Sequence, residues 1–229
     1  MPGPGFRSFR MSVSAAIEIH PIVRGLARTA HAKDQATFEH GCRMVHSSAA
    51  IGEALDLDTA AIGALRIGAL LHDMGKCVIP DAVLFKPGRL EEAEIRLMQR
   101  HSSSGHGLLS GLGHPALDTA AEVALHHHER HDGSGYPRGL SGADVPLFAR
   151  IVALTDVYDA LRADRPYKKG VDHDMAFRII THGDGRTMPG HFDPAVLAAF
   201  EKRAEDIRHI YRVPEALLDW PLAEPGRQH

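Results

Sequence analysis

The sequence is poor in cysteine. Its 229 residues include only Cys42 and Cys77, which do not form a C-x-x-C pair. Neither a disulfide framework nor a cysteine zinc site is indicated, and a reducing cytoplasm is the compartment that we expect. No apolar run approaches the ~20 residues that cross a bilayer, so we expect no membrane segment. The net charge of -3 gives no basic field for binding a nucleic-acid polymer.

Long stretches of alternating polar and apolar residues are also missing, as are internal repeats. Apolar residues instead recur at intervals of three and four, which is typical of amphipathic helices. We therefore predict an all-α fold, a bundle of about seven to nine helices, as a single domain over residues 14–212 with its core at 34–200. Residues 1–13 are expected to form a disordered start, and residues 213–229 a tail.

Capping residues and prolines predict where most helices begin. Asp58 can cap a helix that continues to Leu71, Pro115 begins another, and Pro146 opens a central helix that is apolar on two faces. Glutamates at 91, 92 and 94 favour a further start, because anions stabilise a helix N-terminus. The remaining helices are expected over residues 14–30, 34–55, 172–182 and 193–208.

Histidine is the residue in excess, with 17 copies spread through the chain. His72 and Asp73 stand out, because an apolar, alanine-rich run precedes them and Gly75 and Lys76 follow. A carboxylate at the end of an apolar helix is costly unless a positive charge meets it. The adjacent histidine suggests that this charge is a metal ion, and a polar pair that caps a helix end is the alternative.

Two further segments offer ligands of the same kinds. Asp156 lies on a face of small residues in the predicted central helix, where it needs either a metal ion or a cation such as Arg66. His127 and His128 come where a helix gives way to a glycine-rich loop, so both side chains can turn toward one point. A solvated histidine run is the other interpretation of that pair.

His101 lies on the helix that begins near residue 91, and His40 borders the apolar stripe of the helix over 34–55. The candidates are too many for one ion with open positions, and they suit two ions bridged by Asp73. Two metals about 3.5–4 Å apart are the usual device for phosphoester cleavage. Histidine and carboxylate without thiolate suit iron, manganese, zinc or nickel. The candidate ligands are His72, Asp73, His101, His127, His128, Asp156 and, as a seventh, His40.

Basic residues follow the predicted ligands. Lys76 comes one turn after Asp73, where a cation would bind a phosphate oxygen beside the metals. Arg165, Lys168 and Lys169 form a second basic cluster, which would grip a phosphate if it faces the same cleft. A surface lysine and a solvated patch are the alternative interpretations.

Six sequence blocks occur in order, and together they resemble the HD-GYP branch of the HD-domain metal-dependent phosphohydrolases. The resemblance spans residues 34–200. The blocks are HGCRMV from His40, LLHDMGKCVIPDAVLFKPGRL from Leu70, HSSSGHGLL from His101, HHERHDGSGYPRGLSG from His127, PLFARIVALTDVYDALRADRPYKK from Pro146 and GHFDP from Gly190.

This resemblance implies an all-α fold around a dinuclear metal site. It also implies hydrolysis of the bacterial second messenger cyclic di-GMP to pGpG, which many members of the family convert onward to GMP. The expected mechanism is attack by a metal-bridging hydroxide, with Asp73 holding the ions and Lys76 offsetting phosphoryl charge. The implied metal ligands are His72, Asp73, His101, His127, His128 and Asp156, and the implied phosphate contacts are Lys76, Arg165 and Lys168.

The motif that names the family is Gly135-Tyr136-Pro137, here called the GYP loop. The resemblance associates it with site architecture or with partner contact, and diguanylate-cyclase (GGDEF) domains are the expected partners. Members with a third metal use a glutamate one turn before the histidine at His40, and Ala36 stands there in this chain. We therefore expect two ions, with iron or manganese favoured.

Three questions stay open at this level. The substrate is expected to be cyclic di-GMP, with another cyclic dinucleotide such as 3′,3′-cyclic GMP-AMP as the alternative. A non-catalytic cyclic di-GMP receptor that acts through the GYP loop is a rival from another class. The stretch before Asp34 is too short for a sensor domain, so regulation by a fused input is not expected. A homodimer is left open.

Overall fold

The computed structural model describes residues 21–164 and 169–211, and within these ranges the fold is all-α, which confirms the predicted class. The predicted tails at 1–13 and 213–229 lie outside the described residues. Three 3₁₀ turns, Met74–Val78, Gly142–Asp144 and Pro189–His191, accompany the helices. The α-helices are α1 Pro21–Lys33, α2 Gln35–Ala54, α3 Thr59–Leu71, α4 Asp81–Leu84, α5 Glu92–Leu109, α6 Pro115–His126, α7 Leu147–Arg162, α8 His173–His182, α9 Pro194–Lys202 and α10 Ala204–Ile210.

Ten α-helices in the described part exceed the predicted seven to nine for two local reasons. The predicted helix over 193–208 breaks at Arg203, where the backbone reaches φ −107° and ψ 12°, so that α9 and α10 form instead. The turn after Pro80 closes as the one-turn helix α4, because the N–H groups of Val83 and Leu84 both donate to the Pro80 carbonyl at 2.9 Å.

Caps fix the helix starts where the sequence predicted them. The Asp58 carboxylate accepts a hydrogen bond from the Ala61 N–H at 2.8 Å, and α3 runs from Thr59 to Leu71. Helix α6 begins at Pro115, and α7 begins directly after Pro146.

Helices α2 and α3 contribute to both hydrophobic cores. One core joins them to α7, α8, α9 and α10 around Tyr158 and Phe200, which are completely buried. The other joins them to α1, α5 and α6 around Phe38 and Leu117. Helix α3 packs on α2, α6 and α7, and α7 packs on α2 and α6, so the ends of these four helices lie close together. Among the described residues, no helix is both long and apolar enough to cross a membrane.

The turn after α3 touches α5 at Gly75. A Cβ atom at this position would lie 1.8 Å from the His101 carbonyl oxygen and 2.5 Å from the Gly105 nitrogen. Only glycine allows this approach. The approach brings Asp73, which precedes the turn, beside the His101 side chain.

Candidate metal centre

Five helices bring the seven predicted ligands to one region. Two groups of three stand out, because within each group the donor atoms all lie within 4.8 Å of one another: His101, His127 and His128, and His40, His72 and Asp73. The seven residues are His40 on α2, His72 and Asp73 at the end of α3, His101 on α5, His127 and His128 at the end of α6, and Asp156 on α7.

The cluster has a buried floor and a partly exposed rim. Four residues of the floor are at most 6% exposed: His72, Asp73, His101 and His127. The side chains of the other three form the rim, with exposures of 14% for His40, 20% for Asp156 and 27% for His128. A ligand from solvent would therefore reach the centre past the rim.

The Asp73 carboxylate lies between imidazoles on its two sides. Its Oδ1 is 3.4 Å from His101 Nε2 and 3.9 Å from His127 Nε2, whereas its Oδ2 is 3.3 Å from His72 Nε2. Lys76 Nζ donates a hydrogen bond to the same Oδ2. Burial raises the pKa of Asp73, but the Lys76 ammonium outweighs burial and lowers this pKa well below its ordinary value. Asp73 is thus an ionised carboxylate with one oxygen toward each group of histidines.

Backbone carbonyls fix the tautomers of the three buried histidines. Nδ1 of His72, His101 and His127 lies 2.7, 2.8 and 2.9 Å, respectively, from the carbonyl oxygen three residues earlier. A carbonyl oxygen only accepts, so Nδ1 carries the proton in each neutral ring and Nε2 keeps its lone pair. Metal-ligating histidines are held by outer hydrogen bonds of this kind.

Two features of the floor require a cation. In the described part of the chain, His72 Nε2 is buried and makes no hydrogen bond, and the Asp73 Oδ2 atom that faces it at 3.3 Å is an acceptor as well. The Nε2 atoms of His101 and His127 face each other at 3.2 Å, and with both ring protons on Nδ1 they are two opposed lone pairs. Buried polar atoms without partners are costly, and a metal ion between such atoms removes the cost. The residues therefore fit metal ions.

Asp156 faces the rim histidines rather than Arg66. Its Oδ1 lies 3.2 Å from His40 Nε2, and its Oδ2 lies 3.9 Å from His128 Nδ1. Burial raises the pKa of Asp156, but the hydrogen bond from His40 outweighs burial and holds the pKa far below its ordinary value. Arg66 instead acts on His46, whose pKa is lowered first by burial and then by this guanidinium.

Burial keeps most of the imidazoles neutral, as a metal ligand must be. It is the largest cause that lowers the pKa of His101, of His127 and of His128, the last to about 4. His40 behaves differently. Burial lowers its pKa, but hydrogen bonds to Asp156 and Asp159 outweigh burial and raise the pKa to about 9.

The GYP loop packs on the rim. The Tyr136 N–H donates to the His128 carbonyl at 3.1 Å, and the Tyr136 ring stacks on the His128 ring with centroids 4.7 Å apart. A Cβ atom at Gly135 would lie 2.5 Å from the same carbonyl oxygen, so glycine is required there. The Tyr136–Pro137 peptide bond is cis. These contacts make the loop part of the wall beside His128.

Glu129 anchors the backbone that directly follows the GYP loop. Its side chain is fully buried, and its two oxygens accept hydrogen bonds from the Arg138 N–H at 2.7 Å and the Leu140 N–H at 3.0 Å. Sequence reasoning did not single out this residue. Its position directly after two predicted ligands was the available signal.

The predicted phosphate contacts are only partly described. Lys76 is about one-quarter exposed and pairs with Asp73, so it is a member of the site rather than a free surface lysine. Arg165 and Lys168 lie outside the described residues, and Lys169 is exposed. Sequence reasoning also missed Asp159, which bonds to His40, and the two other side chains that donate to Asp159, Arg43 and Tyr211. The spacing of Asp159, one turn after Asp156, was the signal that could have indicated it.

A family model described as HD domain matches residues 24–196. The chain belongs to the HD domain family. The predicted HD-GYP membership is confirmed by curated relatives of this HD domain protein. One of these relatives is the cyclic di-GMP phosphodiesterase response regulator RpfG of Xanthomonas campestris. It is 42% identical to this chain over 185 residues, which cover 81% of this chain and 48% of the relative.

A second relative is the 3′3′-cGAMP-specific phosphodiesterase 1 of Vibrio cholerae. It is 38% identical over 203 residues, which cover 89% of this HD domain chain and 46% of the relative. The chain spans about half the length of the curated relatives that it matches. Among solved structures, the HDG"Y"P protein Bd1817 of Bdellovibrio bacteriovorus aligns with a TM-score of 0.57 at 20% identity, over 84% of this chain and 60% of that one. That likeness supports the fold alone.

Proposed function

We propose that this chain is a metal-dependent phosphodiesterase that hydrolyses cyclic di-GMP to pGpG, with GMP as the alternative end product. The observation that carries the proposal is the set of unprotonated Nε2 atoms of His72, His101 and His127 around the ionised Asp73 carboxylate. A relative that is 42% identical is named for the same substrate, which supports the same reaction here.

We assign two divalent ions to the centre, one for each group of three ligands, with Asp73 as the bridge. Asp156, between His40 and His128, would complete the coordination from the rim. Alanine at position 36 cannot serve as a further ligand, so a third ion is not proposed. Imidazole and carboxylate donors suit iron or manganese, and zinc and nickel as well.

Side chains of this protein would bind the phosphate and stabilise the charge that develops on it. When bound, the ions would lower the pKa of a water molecule and offset charge on the phosphoryl oxygens. Lys76 Nζ would donate to a phosphate oxygen on the side of Asp73 Oδ2, adding a fixed positive charge where charge develops. Arg165 and Lys168 are expected to hold the phosphate in place, and this assignment stays a prediction.

A second substrate has a specific observation in its favour. The Vibrio cholerae relative named for 3′3′-cGAMP matches 89% of this chain at 38% identity. The two cyclic dinucleotides differ in one base, and the metal centre acts on the phosphodiester that they share. A non-catalytic receptor is disfavoured, because the full set of proposed ligands is present.

The test is an assay of anaerobically purified full chain with its metal content determined first. Cyclic di-GMP, 3′,3′-cyclic GMP-AMP and cyclic di-AMP would be supplied at equal concentration, and products separated by chromatography. We expect about two ions per chain and the fastest turnover with cyclic di-GMP. Binding of cyclic di-GMP without turnover, in protein that carries both ions, would contradict the enzyme proposal and favour the receptor.

Asp73→Ala provides the site-specific comparison. We expect it to lower turnover by more than about 100-fold, because even residues behind the ligands of a metal site cost 10–100-fold. Asp81→Ala is the matched control, since Asp81 is an exposed aspartate that pairs with Lys33 on the surface. Folding of both variants would be checked by circular dichroism. Equal turnover by Asp73→Ala and the parent would rule out the proposed site.

The remaining predictions concern the GYP loop, partner proteins, assembly and cellular location. Packing of Tyr136 on His128 supports site architecture as the first role of the GYP loop. Contact with a GGDEF domain through that loop, a homodimer and a cytoplasmic location stay predictions.

A further inference from the structure

Asp159 is a buried carboxylate that lies one turn after Asp156 on α7, with a side chain only 1% exposed. Its Oδ2 accepts hydrogen bonds from His40 Nδ1 at 2.7 Å and Arg43 Nη2 at 3.0 Å. Its Oδ1 accepts from Arg43 Nε at 2.7 Å and from the Tyr211 hydroxyl. Three segments that are distant in the sequence thus meet on one carboxylate, and each of its oxygens has two donors.

This carboxylate sets the orientation of His40. An ionised aspartate only accepts, so His40 Nδ1 carries the proton in that bond and Nε2 points toward Asp156 at 3.2 Å. The His40 ring also lies edge-on to His72, with centroids 5.1 Å apart. A carboxylate behind a histidine fixes the ring and the tautomer of metal-ligating histidines generally. Asp159 is therefore placed to aim His40 at the centre.

Tyr211 reaches the same carboxylate from the end of α10. Its ring lies edge-on to Tyr158 at 5.2 Å between centroids. The guanidinium carbons of Arg43 and Arg162 lie 5.9 and 5.4 Å from its centroid, respectively, within the range of cation–π attraction. The ring is therefore held independently of its hydroxyl, and the hydroxyl can be removed while the ring stays in place.

We propose that Tyr211 is a positioning residue for the metal centre: its hydroxyl holds Asp159, and Asp159 holds His40 toward the ions. The inference rests on the proposed function, because it takes His40 as a metal ligand. It extends that function by making Tyr211, the residue directly after α10, part of the site. A purely structural Tyr211 would affect stability and leave the affinity for each ion unchanged, so metal binding separates the two roles.

The test is Tyr211→Phe in the full chain, compared with the parent and with Asp159→Asn. Metal-free protein would be titrated with Zn²⁺ in competition with a chromophoric chelator, which resolves the two affinities. We expect Tyr211→Phe to weaken one ion about tenfold and leave the other unchanged, and Asp159→Asn to weaken the same ion up to about 100-fold. In ¹⁵N spectra of the Zn²⁺-loaded proteins, the His40 proton should reside on Nδ1 in the parent, whereas Asp159→Asn should no longer fix it there.

Tyr158→Phe is the matched control. It removes another buried hydroxyl next to Tyr211, but this hydroxyl bonds to His173 Nδ1 at 2.8 Å. We expect some loss of stability and parent-like affinity for both ions. If Tyr211→Phe binds both ions as the parent does, or Tyr158→Phe weakens the same ion equally, the inference about Tyr211 is overturned while the proposed function stands. A parent chain that binds fewer than two ions would overturn both.

Discussion

At the scale of single residues, Lys76 and Asp73 form an ion pair at the edge of the proposed metal centre. The pair is asymmetric, because Asp73 is 7% exposed in its side chain and Lys76 is 26% exposed. Burial lowers the pKa of Lys76, but the Asp73 carboxylate outweighs burial and raises that pKa above its ordinary value. Without ions, Lys76 is therefore the nearest fixed cation that offsets Asp73, while with ions it is one of several positive charges.

Replacement of Lys76 should consequently destabilise the metal-free protein more than the metal-loaded protein. For Lys76→Met we expect about 3 kcal/mol of lost unfolding free energy without metal, at the low end of the cost of breaking a buried pair because Lys76 is partly exposed. With metal the loss should be smaller, since the ions offset Asp73. Urea unfolding with and without EDTA measures both values.

Lys33→Met serves as the control for this comparison. Lys33 pairs with Asp81, whose side chain is 73% exposed, so the loss should stay below about 1 kcal/mol in either state. Equal destabilisation of Lys76→Met with and without metal would contradict the view that the ions share the role of Lys76.

Sequence reasoning identified the ligand candidates because their residue types and their positions in predicted helices or at helix ends carry the chemistry. The candidates His72, Asp73, His127 and His128 were identified at helix ends, whereas His101 and Asp156 were identified from their places within predicted helices. Tyr211 could not, because its partner Asp159 is 52 positions away and a hydroxyl at the end of a helix has no pattern of its own. Long-range hydrogen bonds of this kind are visible only after folding.

At the scale of elements, the turn that follows α3 depends on its contact with α5. Gly75→Ala would place a methyl group 1.8 Å from the His101 carbonyl oxygen, so the turn must move away from the helix. We expect a loss of about 3 kcal/mol or more in unfolding free energy, because overpacking against backbone cannot be relieved by a side-chain rotation. The metal content should fall as well, since Asp73 moves with the turn.

Gly107→Ala on the same helix is the comparison, because no atom lies within 4 Å of a Cβ at that position. This change should stabilise the protein by up to about 1 kcal/mol through the better helix propensity of alanine. Thermal unfolding and metal analysis of the two variants test the contact. Parent-like metal content and stability in Gly75→Ala would show that the turn does not need it.

Helix starts were predictable where a cap or a proline fixes them, as Asp58 does for α3 and Pro115 for α6. The split between α9 and α10 was not, because no proline or glycine stands at Arg203 and the residues on both sides favour helix. The side chain of Arg203 donates to Glu53 on α2 at 2.6 Å, a tertiary contact at the break.

At the scale of the whole molecule, the buried histidines make the stability of the metal-free protein depend on pH. Burial lowers the pKa of His101, of His127 and of His128, the last to about 4. Below pH 6.5 the unfolded chain binds protons that the folded chain does not, so stability falls as the pH falls from about 6.5 toward 4. The raised pKa of His40 does not make stability depend on pH in this range. The stability that His40 contributes is lost only as the pH rises from about 6.5 to 9.

Urea midpoints of EDTA-treated protein at several pH values between 7 and 4.5 would measure this slope. His128→Gln should flatten the profile, because one of the groups that takes up protons only on unfolding is gone. An equally steep profile in His128→Gln would mean that His128 does not contribute. If the stability of the parent is constant across this pH range, the buried histidines do not cause the predicted pH dependence.

Each group of three ligands has one member on the exposed rim, His128 in one group and His40 in the other. The two are restrained differently: His128 stacks on the Tyr136 ring, whereas His40 is bonded to a buried carboxylate. An ion leaves fastest past the ligand that swings outward most easily. In the proposed two-ion centre, the ion beside His128 would therefore exchange with metals in solution faster than the ion beside His40.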